Sequence, residues 1–517
     1  MRKQNLPTVV PICTMVLTVL SCSAIALAQK AVPEFQRLRH NAAVPFIDVV
    51  SPTAARVHGP GFILILDGAG FSPDAEAGFR LGGITHPLPT VVVNEGELAA
   101  YVPAGLLREA ATASITVSNR HGQDVGLASN PVQLPITKPT AGVAFKPTNI
   151  TLGEGPGGIV TADFNGDGQP DLAISEPCGA GTVCFSNTSG NIAILLGRHD
   201  GTFFVAPSIT VGDIPEALAT GDFNGDGKID IAVANAGASS VTILLNDGHG
   251  GFTPAPSTVT VENFPNSIAV GDFNRDGKLD LAVTNSGDVV CSPAGCQASA
   301  VSIRLGNGNG TFTAAASIEG TGNTPERVTA ADLNRDGILD LLLEIDAPPY
   351  EFVYLGQGDG TFSAVASPPV PPVSDSTPAL SLGDVNRDGN LDMVFTIQDY
   401  PGSGKSTIST VLGKGNGLFH AGATSPVVNQ TLIGGMLADF NGDGKLDLAE
   451  EVGFSTMRYD VFLGNGQGKF NLNSSLDVSD KFVGVGPVIA DFNGDGKLDL
   501  ATVTGDNGGT VSILLQQ

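Results

Sequence analysis

The stretch DFNGDGKLDLAT, residues 491–502, decides the fold, because it is one of seven copies. DFNGDGQPDLAI begins at Asp163, DFNGDGKIDIAV at Asp222 and DFNRDGKLDLAV at Asp272. DLNRDGILDLLL begins at Asp332, DVNRDGNLDMVF at Asp384 and DFNGDGKLDLAE at Asp439. Start-to-start spacings are 59, 50, 60, 52, 55 and 52 residues. Self-similarity at such a period marks a repeat architecture, in which each unit buries its apolar face against its neighbours. Positions 1, 3, 5, 6 and 9 are Asp, Asn, Asp, Gly and Asp in every copy, position 7 varies freely, and position 4 switches between Gly and Arg.

Oxygen-bearing side chains at 1, 3 and 5, a turn-making Gly at 6, a backbone carbonyl at 7 and a closing Asp at 9 describe a calcium loop, with the opening spacing of an EF-hand. The side chain at position 7 is then expected to be indifferent. The expected ligands are Asp163, Asn165, Asp167, Gln169 and Asp171 in loop 1, and Asp222, Asn224, Asp226, Lys228 and Asp230 in loop 2. Loop 3 has Asp272, Asn274, Asp276, Lys278 and Asp280; loop 4 has Asp332, Asn334, Asp336, Ile338 and Asp340. Loop 5 has Asp384, Asn386, Asp388, Asn390 and Asp392; loop 6 has Asp439, Asn441, Asp443, Lys445 and Asp447; loop 7 has Asp491, Asn493, Asp495, Lys497 and Asp499. The EF-hand's Glu at position 12 is not the rule, since Ile174, Val233, Val283 and Leu343 stand there, and Glu450 is a coincidence. The competing reading is an Asp/Asn/Gly turn that merely caps a hairpin. Sevenfold recurrence of one ligand set argues against it.

Charge agrees. The 517 residues carry 52 acids against 26 Lys and Arg, a net −26, and the loops hold 21 of those acids. A basic nucleic-acid footprint is excluded. About seven calcium ions would relieve the crowding, so calcium is expected to be needed for rigidity. With extracellular-type affinity, each site adds about 0.4–1.4 kcal/mol at ~1 mM calcium.

The surroundings of each loop read as four short strands. Ile159-Val160 or Ala217-Leu218 leads in, Asp171 to Ile174 or Asp230 to Val233 follows, and an alternating segment such as Ile192 to Leu196 comes third. A Gly-rich turn ending in Phe203, Phe312, Phe362 or Phe470 then opens a fourth. Four strands per 50–60 residues is a propeller blade. The seventh copy stops at its third strand, VSILLQQ, while VAFKPTNITLG at 143–153 matches FFVAPSITVG at 203–212. A fourth strand supplied from the N-terminal side closes the ring and removes free edges. The expected fold is all-β: a closed seven-bladed β-propeller behind a small immunoglobulin-like β-sandwich.

Ahead of the repeats, Arg2 and Lys3 followed by an apolar run to Ala26-Leu27-Ala28 read as a secretory signal over 1–28, cleaved after Ala28. Loss of two cations takes the charge from −26 to −28. Val19-Leu20-Ser21-Cys22 also resembles a bacterial lipobox with Cys22 as the lipidated residue, so free secretion and a lipid anchor stay open. Either reading has the chain exported, secreted or held at the cell surface or periplasmic face of a bacterium. Export agrees with two close cysteine pairs, Cys178 with Cys184 and Cys291 with Cys296. Each is expected to form a local disulfide of about 2 kcal/mol that stiffens its loop. Neither has zinc spacing.

The loops over 143–517 resemble the FG-GAP, or VCBS-type, calcium repeats of the integrin α-subunit propeller and of many secreted bacterial proteins. The resemblance implies calcium loops on one face and a ligand face opposite. Leu333 and Val385 depart from the family's Phe at position 2 but stay apolar. Residues 44–137 read as six strands (FIDVV, FILILDGAGF, TVVV, AAYVPA, ASITVSN and SNPVQLPI), and GAGF at 68–71, VPA at 102–104 and SNP at 129–131 resemble the IPT/TIG fold. Residues 29–43 read as a spacer and 138–142 as a linker.

Little in the chain suggests catalysis. There is no H-E-x-x-H or G-x-S-x-G, and Gly402-Ser403-Gly404-Lys405-Ser406 is no phosphate loop because Asp399 holds the place of its first Gly. The repeats lengthen at 175–190, 286–300 and 398–406, between second and third strands, on the face opposite the loops. That face gathers both cysteine pairs, the ligand candidates Tyr350, Tyr400 and Lys405, and the acids Glu176, Asp288, Asp346 and Asp399. The expected function is a non-catalytic extracellular binding or adhesion module for a glycan or protein. The alternatives are a structural surface spacer and a polysaccharide-active enzyme using those acids.

Overall fold

After each loop comes a run of Ile, Val, Leu and Ala, and burial on both faces explains it. DLAISE, DIAVAN, DLAVTN, DLLLEI, DLAEEV and DLATVT are buried at every position. A strand covered on both sides needs no polar alternation. The computed structural model describes residues 43–517 except 122–123, 153–154, 156, 178–188, 288–298, 320–323, 346–350, 366–367, 369–378, 400–404, 426–431, 454–456, 480–485 and 505–508.

Seven antiparallel sheets carry the seven loops. In the second, the strands are Pro215–Gly221, Asp230–Asn235, Ser240–Asn246 and Phe252–Pro254, with Val259–Thr260 added on Ser240–Asn246. Each loop joins a first strand to a second. The seventh sheet runs Val488–Ala490, Asp499–Thr504, Thr510–Gln516 and then Phe145–Thr151. That last strand pairs antiparallel with Thr510–Gln516, from Phe145 opposite Gln516 to Thr151 opposite Thr510. Phe145–Thr151 thus supplies the strand that the seventh copy lacks.

Seven apolar clusters join the sheets pairwise. Ile231 and Val233 of the second sheet meet Ala173 and Ile194 of the first, and Leu172 and Ile174 of the first meet Phe492, Ala501 and Ile513 of the seventh. Phenylalanines repeat this neighbour relation. The ring ending a Gly turn stands edge-on to the position-2 ring of the preceding copy: Phe252 on Phe164 (centroids 5.4 Å), Phe312 on Phe223 (5.8 Å) and Phe362 on Phe273 (5.6 Å). Phe203 of the first copy stands on Phe492 of the seventh at 5.7 Å. Each such pair contributes about 0.5–1.5 kcal/mol beyond its area. Leu333 and Val385 occupy the same buried place.

Residues 43–137 form two further sheets over one core that includes Leu64, Leu66, Phe71, Phe79, Leu98, Ile115 and Leu134. One sheet orders Phe46–Ser51, Phe62–Ala69, Glu97–Val102 and Thr90–Asn94. The other orders Ala55–Arg56, Val132–Thr137, Ala111–His121, Glu76–Leu81 and Ile84–Pro87, with Asp124–Ala128 on Ala111–His121. The six expected segments are all strands; Ala55–Arg56, Glu76–Leu81, Ile84–Pro87 and Asp124–Ala128 are additional and too short or too mixed in pattern to read. Among the described residues no helix is long and apolar enough to cross a membrane.

Candidate metal centres

All seven loops share one hydrogen-bond plan, set by the glycine at position 6 with φ between 80° and 87°. Its N–H donates to Oδ2 of the position-1 Asp, as Gly227 to Asp222 (2.7 Å) and Gly337 to Asp332 (2.8 Å). The position-3 Asn accepts the N–H of position 5, as Asn334 from Asp336 (2.8 Å), and the position-5 Asp accepts that of position 7, as Asp336 from Ile338 (2.9 Å). The side-chain oxygens are thereby drawn toward the loop interior.

Position 9 does something the sequence did not announce. Asp340 accepts Leu333 N–H and Gly356 N–H, both at 2.9 Å, so one carboxylate staples the loop to the third strand. Asp171 does the same with Phe164 and Gly197, Asp230 with Phe223 and Asn246, and Asp499 with Phe492 and Gln516. Position 7 is also more than a carbonyl. Lys228, Lys278 and Lys445 reach back to Asp226, Asp276 and Asp443 at 3.0, 2.9 and 2.6 Å. Asn390 Nδ2 of loop 5 likewise donates to Asp388 Oδ1 at 2.9 Å, so the expectation of an indifferent side chain is corrected at those four loops, because the side chain there lies within reach of the position-5 carboxylate.

Burial sets the electrostatics. It pushes Asp171, Asp280, Asp392 and Asp447 up to about 7, and Asp340 and Asp499 to about 8. Position 1 follows, with Asp332 raised to about 7 and Asp272 to about 6, again chiefly by burial and against the pull of backbone N–H donors. Among the described residues no three His, Cys, Asp or Glu side chains are gathered as a metal cluster on their own. The donor set of these loops also draws on Asn and backbone oxygens. Hard oxygens around desolvated carboxylates suit a calcium-like cation. Asp and Asn at positions 1, 3, 5 and 9 and the position-7 carbonyl would hold it.

The side chains and backbone of residues 43–137 stand on these loops. Arg80 donates to Asp163 Oδ2 (2.7 Å) and to Gly166 O (3.3 Å) of loop 1. Val44 N–H donates to Asp272 Oδ2 of loop 3 at 2.8 Å, and Thr53 Oγ1 to Asp439 Oδ2 of loop 6 at 2.9 Å. Asp332 N–H of loop 4 donates to Asp48 Oδ2 (2.9 Å), and Gly70 N–H to Gly337 O (3.0 Å). Arg275 pairs with Glu95, and Arg335 with Asp67 (2.7 Å) and Glu97 (3.4 Å). At loop 7, a Cβ on Gly496 would come within 2.5 Å of Ala111 N. The only trace of this seat in the sequence is the Gly-to-Arg switch at position 4.

At the far end of the second strands lie acids that the sequence reading passed over. Glu344 and Glu351 are cross-strand partners, and both are buried. Among the described residues neither carboxylate oxygen of Glu351 has a hydrogen-bond partner, and burial with the Glu344 charge pushes it up to about 9. Burial raises Glu451 to about 8 despite Arg327. Glutamates inside otherwise apolar runs, DLLLEI and DLAEEV, were the available signal. Cys178, Cys184, Cys291, Cys296, Tyr350, Tyr400, Asp288 and Asp346 lie outside the described residues. Lys405 begins the strand Lys405–Gly413, with its Cα opposite that of Asp399. Glu176 ends a buried strand.

Comparison with known proteins identifies the repeats. The family described as FG-GAP-like repeat matches residues 182–233, 222–283, 286–343 and 351–395, and the FG-GAP repeat matches 156–191 and 264–303. The chain carries FG-GAP repeats. Phosphatidylinositol-glycan-specific phospholipase D of Rattus norvegicus is 30% identical over 124 residues, 22% of this chain and 14% of that protein. The Mus musculus protein of the same name is 27% identical over 122 residues, with the same shares. The match thus spans about a seventh of those relatives. A protein of unknown function from Bacteroides thetaiotaomicron aligns over 92% of this chain and 98% of its own at TM-score 0.35 and 9% identity. A mutant of AofleA from Arthrobotrys oligospora aligns over 66% and 91% at TM-score 0.39 and 10% identity. At that distance the structural likeness carries no argument.

Proposed function

We propose that the chain is an exported calcium-binding protein. In this reading residues 143–517 are a closed seven-bladed FG-GAP/VCBS propeller, behind an IPT/TIG-type immunoglobulin-like domain over 44–137. It acts as a non-catalytic extracellular binding module for a glycan or protein. Closure is supported by the pairing of Phe145–Thr151 with Thr510–Gln516 and by Phe203 on Phe492. Calcium is supported by seven loops with one oxygen plan and carboxylates that burial alone makes unfavourable. The observation that carries the binding role is the seat of residues 43–137 on the loops. That side already has an occupant, which leaves the end with the enlarged second-to-third-strand connections for a partner.

The test is a glycan and matrix-protein array probed with residues 29–517, with calcium and with chelator, together with an assay for released sugar. Calcium-dependent binding without product is expected. Released product would overturn the non-catalytic reading, and a blank array would favour a surface spacer. Cleavage after Ala28, a lipid on Cys22 and the two disulfides are separated by the intact mass of the mature chain before and after reduction.

A further inference from the structure

We propose that cation loading of loops 3, 4 and 6 and docking of residues 43–137 are cooperative, so that calcium clamps the first domain onto the repeats and chelation loosens it. The inference rests on the calcium reading above.

The argument starts at the position-1 carboxylates. Asp272 and Asp439, expected cation ligands, each accept a neutral donor from the first domain: Val44 N–H at 2.8 Å and Thr53 Oγ1 at 2.9 Å. Donors of this kind fix the orientation of a ligand carboxylate and typically support metal affinity. A cation on the same carboxylate in turn holds it in the orientation those donors need. Coupling between two binding events is reciprocal.

Position 4 gives a second, independent argument. In loops 1, 2, 6 and 7 a glycine adopts φ of 76°, 77°, 71° and 73° there. In loops 3 and 4 Arg275 and Arg335 take up φ of 60° and 61°, a left-handed conformation that disfavours side chains. Those two arginines reach the first domain's acids, Arg275 to Glu95 and Arg335 to Asp67 and Glu97. Loop 1, with glycine at position 4, receives Arg80 from the domain instead. The charges therefore swap sides around the interface and specify one seat. Arg387 of loop 5 adopts φ of 65° as well, so the left-handed residue is part of the loop itself, and what loops 3 and 4 lend to the seat is the side chains of Arg275 and Arg335. Loop 2 is the internal control. Asp222 accepts only from Gly225, Asp226 and Gly227 among the described residues.

The test uses the full mature chain and calcium alone as the probe. Hydrogen exchange at Val44 and Gly70, whose N–H groups cross the interface, is compared in calcium and in chelator. Exchange at Ala111–His121 reports whether the domain itself stays folded. Chelation is expected to speed exchange at Val44 and Gly70 by about fivefold or more, the low end of allosteric coupling, while Ala111–His121 stays protected. The double variant R275G/R335G removes both arginine contacts to the domain. It is expected to loosen Val44 and Gly70 even in calcium and to weaken calorimetric calcium affinity without lowering the melting point of the repeats. Glu95→Gln, changed from the domain side, is expected to act in the same direction. Normal calcium uptake with Val44 and Gly70 unmoved by chelation overturns the coupling alone. No heat of calcium binding at all removes the calcium reading, and the coupling with it.

Discussion

The guanidinium of Arg80 stands 2.7 Å from Asp163 Oδ2, joining the first domain to the opening position of loop 1 across 83 residues of sequence. A cation entering loop 1 meets a carboxylate already balanced by a fixed positive charge. Loop 1 should therefore bind calcium more weakly than it would without Arg80. Replacing Arg80 with Ala should tighten that one site by about two- to fivefold, as befits a partly exposed pair. Calorimetric titration of both proteins reads this, and an unchanged titration counts against it.

Positions 5 and 9 should separate on mutation. Asp340 holds two backbone amides between loop and strand, whereas Asp336 lies at the exposed tip. Asp340→Ala should lose about 2–4 kcal/mol even in chelator, because two buried N–H groups are left unpaired. Asp336→Ala should lose only the calcium-dependent part of stability. Denaturant melts with and without calcium distinguish the two. Equal losses in chelator would refute the division of labour.

The proposed closure of the repeats into a ring can be tested at Phe492. It is 1% exposed, and Phe203 of the first copy stands against it. Phe492→Ala should cost about 3–5 kcal/mol. The loss should appear as faster exchange in both Phe145–Thr151 and Thr510–Gln516, the two strands that join the chain's distant ends. A loss confined to the seventh copy's own strands would mean that the ends are held by other contacts.

The buried glutamates predict a pH dependence remote from the loops. Glu344, Glu351 and Glu451 are raised to about 7, 9 and 8 from an ordinary 4.5. The folded protein then holds more protons than the unfolded chain between those limits. Stability should be greatest below about pH 4.5 as far as these groups are concerned, and fall as pH rises toward 9. Glu351→Gln should flatten that fall and raise the melting point at pH 8 relative to the parent. An unchanged slope would show that Glu351 ionises freely.

Much of this protein is legible in its sequence. Seven copies of one oxygen pattern, the apolar second strands and the orphaned strand at 143–153 need only local periodicity. Phe145–Thr151 duly completes the last sheet, and six segments of residues 44–137 form strands. Repetition made these features redundant, so a departure such as Leu333 or Val385 did not obscure them.

The stapling role of Asp340 and its counterparts was invisible, because the spacing that suggests a cation ligand says nothing of the two backbone N–H groups the same carboxylate accepts. The switch between Gly and Arg at position 4 was visible but had no meaning until the first domain was seen on the loops.

The sequence by itself determined the repeat, the oxygen pattern of the loops and the strand that completes the last sheet, since each depends on residues close in the chain or recurring at a fixed period. Only the tertiary structure decided that Val44, Thr53, Arg80 and Glu95 sit on the loops. Those contacts join single residues across 83 to 386 positions. A docking surface depends on charge and shape matched once in space, and that leaves no period to read.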